Sequence, residues 1–287
     1  MKPRLAISFS GGRSSAVMLW ICLQKYAETH DILITFANTG CEDNRTLDFV
    51  DAVDRHIAGG RVVWVEAVTH HGERKGCTHK IVDFATAARN GEPFEGVVKK
   101  YGLPNPSFPH CTRETKLNPM KSYLRSVGWE TGSYDSAIGI RADEIDRCSA
   151  KAKEQRLIYP LVEEQIRRAD VNAWCNKQEW DLKIPGDHYG NCTWCWKKTD
   201  RKLYTLAVDA PEVFSVPRRL EQYSNCGAGG GESVTMFRHH RNVADIIREA
   251  SQKRFAKYQD DNQLLLFDNE LDIGSGCGES CEIGADE

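Results

Sequence analysis

Three groups of residues in this chain have the types and spacing to do chemistry. The first is Ser10-Gly11-Gly12-Arg13-Ser14-Ser15, directly after the mostly apolar run at 5–9. A strand that breaks into a glycine turn and then a helix start aims backbone N–H groups and the positive end of a helix dipole at one point. That geometry suits a phosphate or a sulfate. Arg13 adds a positive charge, and Ser14 or Ser15 can cap the helix. This is not a Walker loop, because the G-x-x-x-x-G-K spacing is absent.

The second group is cationic. Arg113 and Lys116 stand three apart just after Cys111, so a helical turn puts them on one face, where they can grip an oxyanion. Arg141 closes the apolar segment 137–140. An arginine at the end of a buried strand is costly unless it meets an anion or a carboxylate.

The third group is sulfur. The chain has eleven cysteines. Cys192 and Cys195 form a Cys-x-x-Cys with Gly190 before it and Trp194 inside it. Such a pair ligates an iron–sulfur cluster, binds zinc or acts as a redox couple. Further ligands must come from elsewhere, and Cys111 is the best third candidate by motif. Cys277 and Cys281 lie in an acidic, glycine-rich C-terminal stretch of the kind that is usually disordered. His70, His71, Cys77 and His79 crowd together but match no common ligand spacing, so they read as a solvated or substrate-facing loop. The basic cluster at 237–241, with His239 and His240, has no assigned role.

Regular elements must position these groups. Residues 5–9, 32–36 and 61–65 read as buried parallel strands, with helices from residue 16 and over 42–57 between them. Strand–helix alternation at this spacing predicts right-handed βαβ units. A fourth strand is expected at 137–140, and helices at 120–127, 169–180 (capped by Asp170), 202–208 and 243–255. The fold class is therefore α/β, a Rossmann-like parallel sheet with helices on both faces and a C-terminal helical extension. Parallel sheets bind ligands at the carboxyl ends of their strands, which puts the Asn38-Thr39-Gly40 turn beside the first loop. The expected organisation is a nucleotide-binding domain at 1–210, a helical extension at 211–259 and a flexible acidic tail at 260–287.

Composition narrows the function classes. The chain has 287 residues, 28% of them charged, and a net charge of −3. That balance argues against bulk attraction to nucleic acid. No apolar run approaches a membrane span, and the N-terminus lacks a secretory apolar core, so a cytoplasmic protein is expected. Thiols there stay reduced.

Several of these segments, in order, resemble the phosphoadenylyl-sulfate (PAPS) reductase family of the PP-loop superfamily, especially stand-alone members found near phage genes. Ser10 to Ser15 resembles the SGGxDS loop, with Ser14 in place of its Asp. Asn38-Thr39-Gly40 resembles the family's Asp-Thr-Gly. Cys111 to Lys116 with Pro119 resembles its Cys-Cys-x-x-Arg-Lys-x-x-Pro, with one cysteine missing and the spacing stretched by a residue. Gly139 to Glu144 resembles Gly-Leu-Arg-Arg-Asp-Gln, and Gly190 to Cys195 resembles Gly-Cys-x-x-Cys. Cys277-Gly278 is similar to the C-terminal Glu-Cys-Gly whose cysteine attacks the substrate sulfur.

The resemblance implies an adenine-nucleotide α-hydrolase-like fold. It implies that Ser10, Gly11, Gly12, Arg13, Ser14, Ser15, Asn38, Thr39 and Gly40 bind an adenylyl nucleotide as substrate, and that Arg113, Lys116 and Arg141 neutralise its sulfate. Cys277, or else Cys281, would be the nucleophile. A [4Fe–4S] cluster is implied on Cys111, Cys192 and Cys195, with the fourth ligand from the tail or Cys226. The partner implied is a thiol reductant such as a thioredoxin-like protein, and a homo-oligomer is compatible. Two other classes stand beside this one. An ATP-dependent sulfurtransferase would act on nucleic acid, and a non-catalytic module would bind nucleotide or cluster without turnover.

Overall fold

The structure is a computed structural model that describes residues 2–225 and 234–260. The tail cysteines Cys277 and Cys281, and Cys226, lie outside the described residues.

The chain opens with β1 (Arg4–Ser8), α1 (Arg13–Tyr26), β2 (Asp31–Asn38), α2 (Asn44–Val53) and β3 (Val62–Val68). It continues through β4 (Thr78–Val82), α3 (Glu92–Tyr101), α4 (Asn118–Ser126), β5 (Asp135–Ala137) and β6 (Leu157–Ile158). Among the described residues, α5 (Pro160–Glu163), α6 (Arg168–Cys175), α7 (Asp200–Asp209), α8 (Ser215–Leu220) and α9 (Val243–Gln252) follow. The sheet order is β4-β3-β2-β1-β5-β6, parallel except for β4, which runs antiparallel to β3.

The apolar runs explain the core. Ile7, Ile34, Phe36 and Trp64 pack with Met18, Leu19, Val50 and Val53 on one face. Ala6, Ala37 and Val65 pack with Met120, Tyr123 and Leu124 on the other. Helices therefore cover both faces, as expected. The strand order reverses at β1: β2 lies on one side, β5 on the other. In parallel sheets the two loops that part at such a point leave a crevice beyond the strand ends.

Several boundaries differ from the sequence reading. β4 was not expected, because Thr78-His79-Lys80-Ile81-Val82 is an edge strand with Ile81 exposed, and so carries no buried apolar run. The strand expected at 137–140 is regular only over Asp135–Ala137; Ile138 N–H still donates to Ile158 O at 3.0 Å, and residues 138–141 line the crevice. The helix expected over 169–180 ends at Cys175, with its N-terminus satisfied by the Asp170 carboxylate accepting from Arg167 N at 2.9 Å. The helical span at 42–57 is α2 followed by a π turn at Asp54–Ala58.

A second core joins Cys41, Phe94, Cys111, Cys192, Trp194 and Trp196 to Leu206, Phe214 and Ile246. Through it the C-terminal helices pack against α3 and the Cys-x-x-Cys segment. A polar clamp adds to this packing. Buried Arg241 donates to Asp200 at 2.5 Å and to Glu249 at 3.0 Å. Lys253 first, then Tyr204, hold the Glu249 carboxyl down at about 2, from an ordinary 4.5. A depressed carboxyl stabilises the folded state above its unfolded pKa, and loses that contribution as pH falls through the folded one. Glu249→Gln should therefore cost stability at pH 6, and the gap to the unsubstituted protein should narrow between pH 4.5 and 2. Urea denaturation at pH 6 and pH 2.5 reads this, and an equal gap at both would refute the clamp.

Candidate functional site

The crevice at the strand-order reversal is a cleft of about 380 Å³, within the usual range for small-molecule sites. Its floor is the loop after β1. Gly11 turns with φ +78°, and a Cβ there would lie 3.0 Å from side-chain atoms of Thr46 and Val50. Only glycine fits that position. Gly12 caps α1 in an extended conformation. Its N–H donates to Ser15 Oγ at 3.2 Å, Ser15 Oγ donates to Gly12 O at 2.8 Å, and Ser10 Oγ donates to Ser15 Oγ at 3.0 Å. The hydroxyls thus lock the turn, and the N-terminal end of α1 faces the cleft. All six residues Ser10 to Ser15 line it.

The opposite wall comes from the loop after β5. Ile138, Gly139, Ile140 and Arg141 line the cleft, and Arg141 donates to Ser14 Oγ at 3.2 Å. Arg141 is also held by Asp143 at 3.1 Å and Glu144 at 3.3 Å, so the cation at this strand end does meet carboxylates. Arg13 is bound by Asp181 at 3.0 and 2.6 Å through both arms of its guanidinium.

Seven cationic side chains line the cleft: Arg13, Arg141, Arg147, Arg168, Lys197, Lys198 and Lys202. Three carboxylates oppose them: Glu144, Asp187 and Asp260. The sequence reading missed Arg147, Arg168, Lys197, Lys198 and Lys202. They reach the site from segments far apart in the chain, and no local spacing marks them. Arg147 and Arg168 are steered by Glu144 and Asp187, each at 2.6 Å. Ile138, Ile140, Val171, Leu182 and Ile184 add an apolar wall. A cationic floor with an apolar wall can hold a phosphorylated nucleoside by both of its ends.

Other expected site residues lie elsewhere. Arg113 and Lys116 are in a π turn, Arg113–Leu117, and neither is among the residues that line the cleft. The Arg113 side chain is exposed and pairs with Glu114 at 3.0 Å, while Lys116 is buried, 4.0 Å from Glu42. Asn38, Thr39 and Gly40 are also not among the cleft-lining residues. Asn38 donates to buried Glu66 at 2.7 Å and to Ala88 O at 2.9 Å. Thr39 donates to Glu42 and lies 3.5 Å from Cys192 Sγ. The β2 turn therefore closes on Glu66, Glu42 and Cys192 and not on the cleft.

Those groups converge. Cys111, Cys192 and Cys195 line one small cavity with Phe94, Thr112, Thr115, Lys116, Trp194, Trp196 and Lys197. Its free space is about 10 Å³, room for about one water. Among the described residues no three His, Cys, Asp or Glu side chains are drawn into a closed metal-binding group. Yet the surroundings fit a sulfur-ligated group. Thr112 Oγ1, Trp194 Nε1 and Trp196 Nε1 are buried without a hydrogen-bond partner. Buried donors normally find acceptors, and the sulfurs of a cluster or a metal-bound thiolate are such acceptors. Lys116 and Lys197 on the same wall would offset thiolate charge. Ligand sets seldom stand closed beforehand, since thiols lose their protons and close on the metal as it binds.

The histidines near 70–79 are separately engaged. His70 Nε2 lies 2.7 Å from Thr78 Oγ1, and His79 Nδ1 lies 2.9 Å from Ser122 Oγ. Burial lowers the His79 pKa.

The chain is similar to other proteins over most of its length. It is 33% identical over 282 residues to the uncharacterized nin region protein ORF290 of Escherichia phage lambda, covering 96% of this chain and 94% of that protein. It is 27% identical over 180 residues to an uncharacterized protein of Methanocaldococcus jannaschii, covering 63% of this chain and 31% of that longer protein. No protein-family model matches the chain, and no solved structure matches it significantly.

Proposed function

This chain belongs to the family of the phage lambda nin region protein, and we propose that it binds an adenylyl nucleotide in the cleft and reduces its sulfate to sulfite. The observation that carries this reading is a shared wall. Cys195 and Lys197 line both the cationic cleft and the cysteine cavity. A sulfur-ligated group would thus border the anion site, the juxtaposition that the resemblance to PAPS reductases implies.

Each part of the cleft has a role. The loop at Ser10 to Ser15 takes the α-phosphate on its N–H groups and on the helix dipole. Arg141 and Arg147, already aimed by Glu144, neutralise the sulfate. Arg113 and Lys116 drop out of that role, Lys116 moving to the cysteine cavity. Ser14 gives the loop no carboxylate to hold a metal on ATP, which favours a substrate that arrives already activated. Cys111, Cys192 and Cys195 would hold an iron–sulfur cluster, which when bound supplies electrostatic and redox tuning beside the sulfate.

The chemistry balances with thiols alone. A cysteine thiolate attacks sulfur, a sulfur–sulfur bond forms, and the sulfur–oxygen bond to phosphate breaks. The electron pair leaves on the nucleotide phosphate. A dithiol protein then reduces the thiosulfonate, releasing sulfite and the enzyme thiol, and becomes a disulfide. The resemblance implies Cys277, or else Cys281, as the nucleophile, and both lie outside the described residues.

Adenylyl-sulfate, PAPS and ATP, each added with a dithiol reductant to anaerobic protein, test this. Sulfite should form from one of the first two, and from neither without reductant. Adenylate and pyrophosphate from ATP would select the sulfurtransferase instead. Tight binding without turnover of any of the three would make the protein a binding module.

A further inference from the structure

We propose that Cys41 is the fourth sulfur ligand of the site formed by Cys111, Cys192 and Cys195, replacing the cysteine that this chain lacks beside Cys111. The inference rests on the reading of that cavity as a metal centre. It goes beyond the motifs, which leave Cys41 unremarked and look to the tail or Cys226.

Position carries the argument. Cys41 is buried at the turn after β2 and shares a core with Cys111, Cys192 and Cys195. Its chain segment lies directly against the Cys192–Thr193 segment. The backbone fixes this pairing. Thr193 N–H donates to Cys41 O at 2.9 Å, the Thr193 hydroxyl donates to the same oxygen at 3.3 Å, and Glu42 bridges Cys192 in antiparallel fashion. Thr39 ties the two sulfurs' segments together, its hydroxyl 3.5 Å from Cys192 Sγ and accepting from Cys41 N–H at 3.2 Å. On its outer side Cys41 Sγ meets the backbone at Gly91, where a Cβ would come within 3.3 Å of it. The sulfur is therefore backed by glycine, and its chain segment runs beside Cys192. With Cys41 added, the turn after β2, the segment at Cys111 and the Cys-x-x-Cys loop bring four soft donors to the one buried core that also holds the unpartnered Trp194 and Trp196. Soft thiolate sets of this kind select iron–sulfur clusters or zinc.

Anaerobic protein, reconstituted with ferrous iron and sulfide, is assayed for iron, acid-labile sulfide and visible absorption, with zinc measured beside them. The unsubstituted protein should hold metal. Cys41→Ser should weaken retention by at least about tenfold, the lower end of what changes even behind the ligands cost. Cys226→Ser, and a variant with Cys226, Cys277 and Cys281 all replaced by Ser, should retain it fully. Those two variants leave the described core intact, so the test survives if Cys41→Ser fails to fold. Full retention by folded Cys41→Ser, or loss in the triple variant, would overturn the assignment of Cys41. No iron or zinc on the unsubstituted protein would instead overturn the metal centre itself. A Cys41–Cys192 disulfide that forms in metal-free protein on exposure to oxygen, and is reversed by dithiothreitol, would replace it with a redox pair.

Discussion

A valine at position 12 should abolish nucleotide binding while the protein stays folded. The two glycines of the loop look alike in the sequence, but their surroundings separate them. At Gly11 a Cβ would press on Thr46, Val50 and Phe36 at 3.0 to 3.2 Å, and φ is +78°. Gly11→Val would therefore damage packing and backbone together, and its loss of binding would say little about the ligand. Gly12 has φ −102° and ψ 161°, a conformation in which valine is at ease. A Cβ there meets only Ser10 Oγ, at 3.8 Å, so the new methyls stand in the space an anion would use. Losing two N–H bonds to a charged oxygen costs on the order of 3 kcal/mol or more, above a hundredfold in affinity. Calorimetric titration with adenylyl-sulfate, set beside thermal melting, reads both effects. A folded Gly12→Val protein with unchanged affinity would remove the loop from the binding site.

Much of this frame was legible because it is local. Residues 5 to 15 hold strand, turn and helix start in one unbroken run, so apolar periodicity and glycine placement were enough. The β2 and β3 runs are buried on both faces and read the same way. Cys111, Cys192 and Cys195, which their motifs group, line one cavity. What failed was direction. Nothing in Asn38-Thr39-Gly40 says that the turn closes on Glu66, Glu42 and Cys192 and not on the cleft. That depends on Glu66 of β3 and on the Cys192 segment, both distant in the chain. Lys116 was paired with Arg113 by helical spacing, but a π turn and the charge of Glu42 draw it inward. Arg147 and Arg168 carry no motif, and only the folded chain brings them to the cleft. Cys41 was hidden for the same reason: its partner is 151 positions away, and the link is a backbone bridge that no spacing rule describes.

The Cys-x-x-Cys loop should also depend on one lysine. Lys198 is buried, and its ammonium donates to three carbonyls: His188 at 2.6 Å, Cys192 at 3.0 Å and Thr193 at 2.6 Å. Those carbonyls belong to a segment of turns with no regular ladder of its own. An ammonium has three protons, so one side chain can satisfy all three oxygens. The same carbonyls partly offset its charge in the interior. Lys198→Met keeps the length and apolar stem but removes every donor. Cys192 O keeps the Cys195 N–H at 3.0 Å, but His188 O and Thr193 O lose their donor; at about 1–3 kcal/mol for each buried carbonyl left without a partner, the change should cost roughly 2–6 kcal/mol, or about 10 °C of melting temperature in a chain of this size. Metal retention should fall with it, because Cys192 and Thr193 are the residues that lose their anchor. Lys198 also lines the cleft, which offers a different outcome. A purely substrate-binding lysine would leave melting and iron content unchanged and weaken only nucleotide affinity. A Lys198→Met protein that melts within about 2 °C of the unsubstituted one and keeps its metal would assign the residue to the anion site, and the loop would then owe its shape to the Cys41 bridge alone.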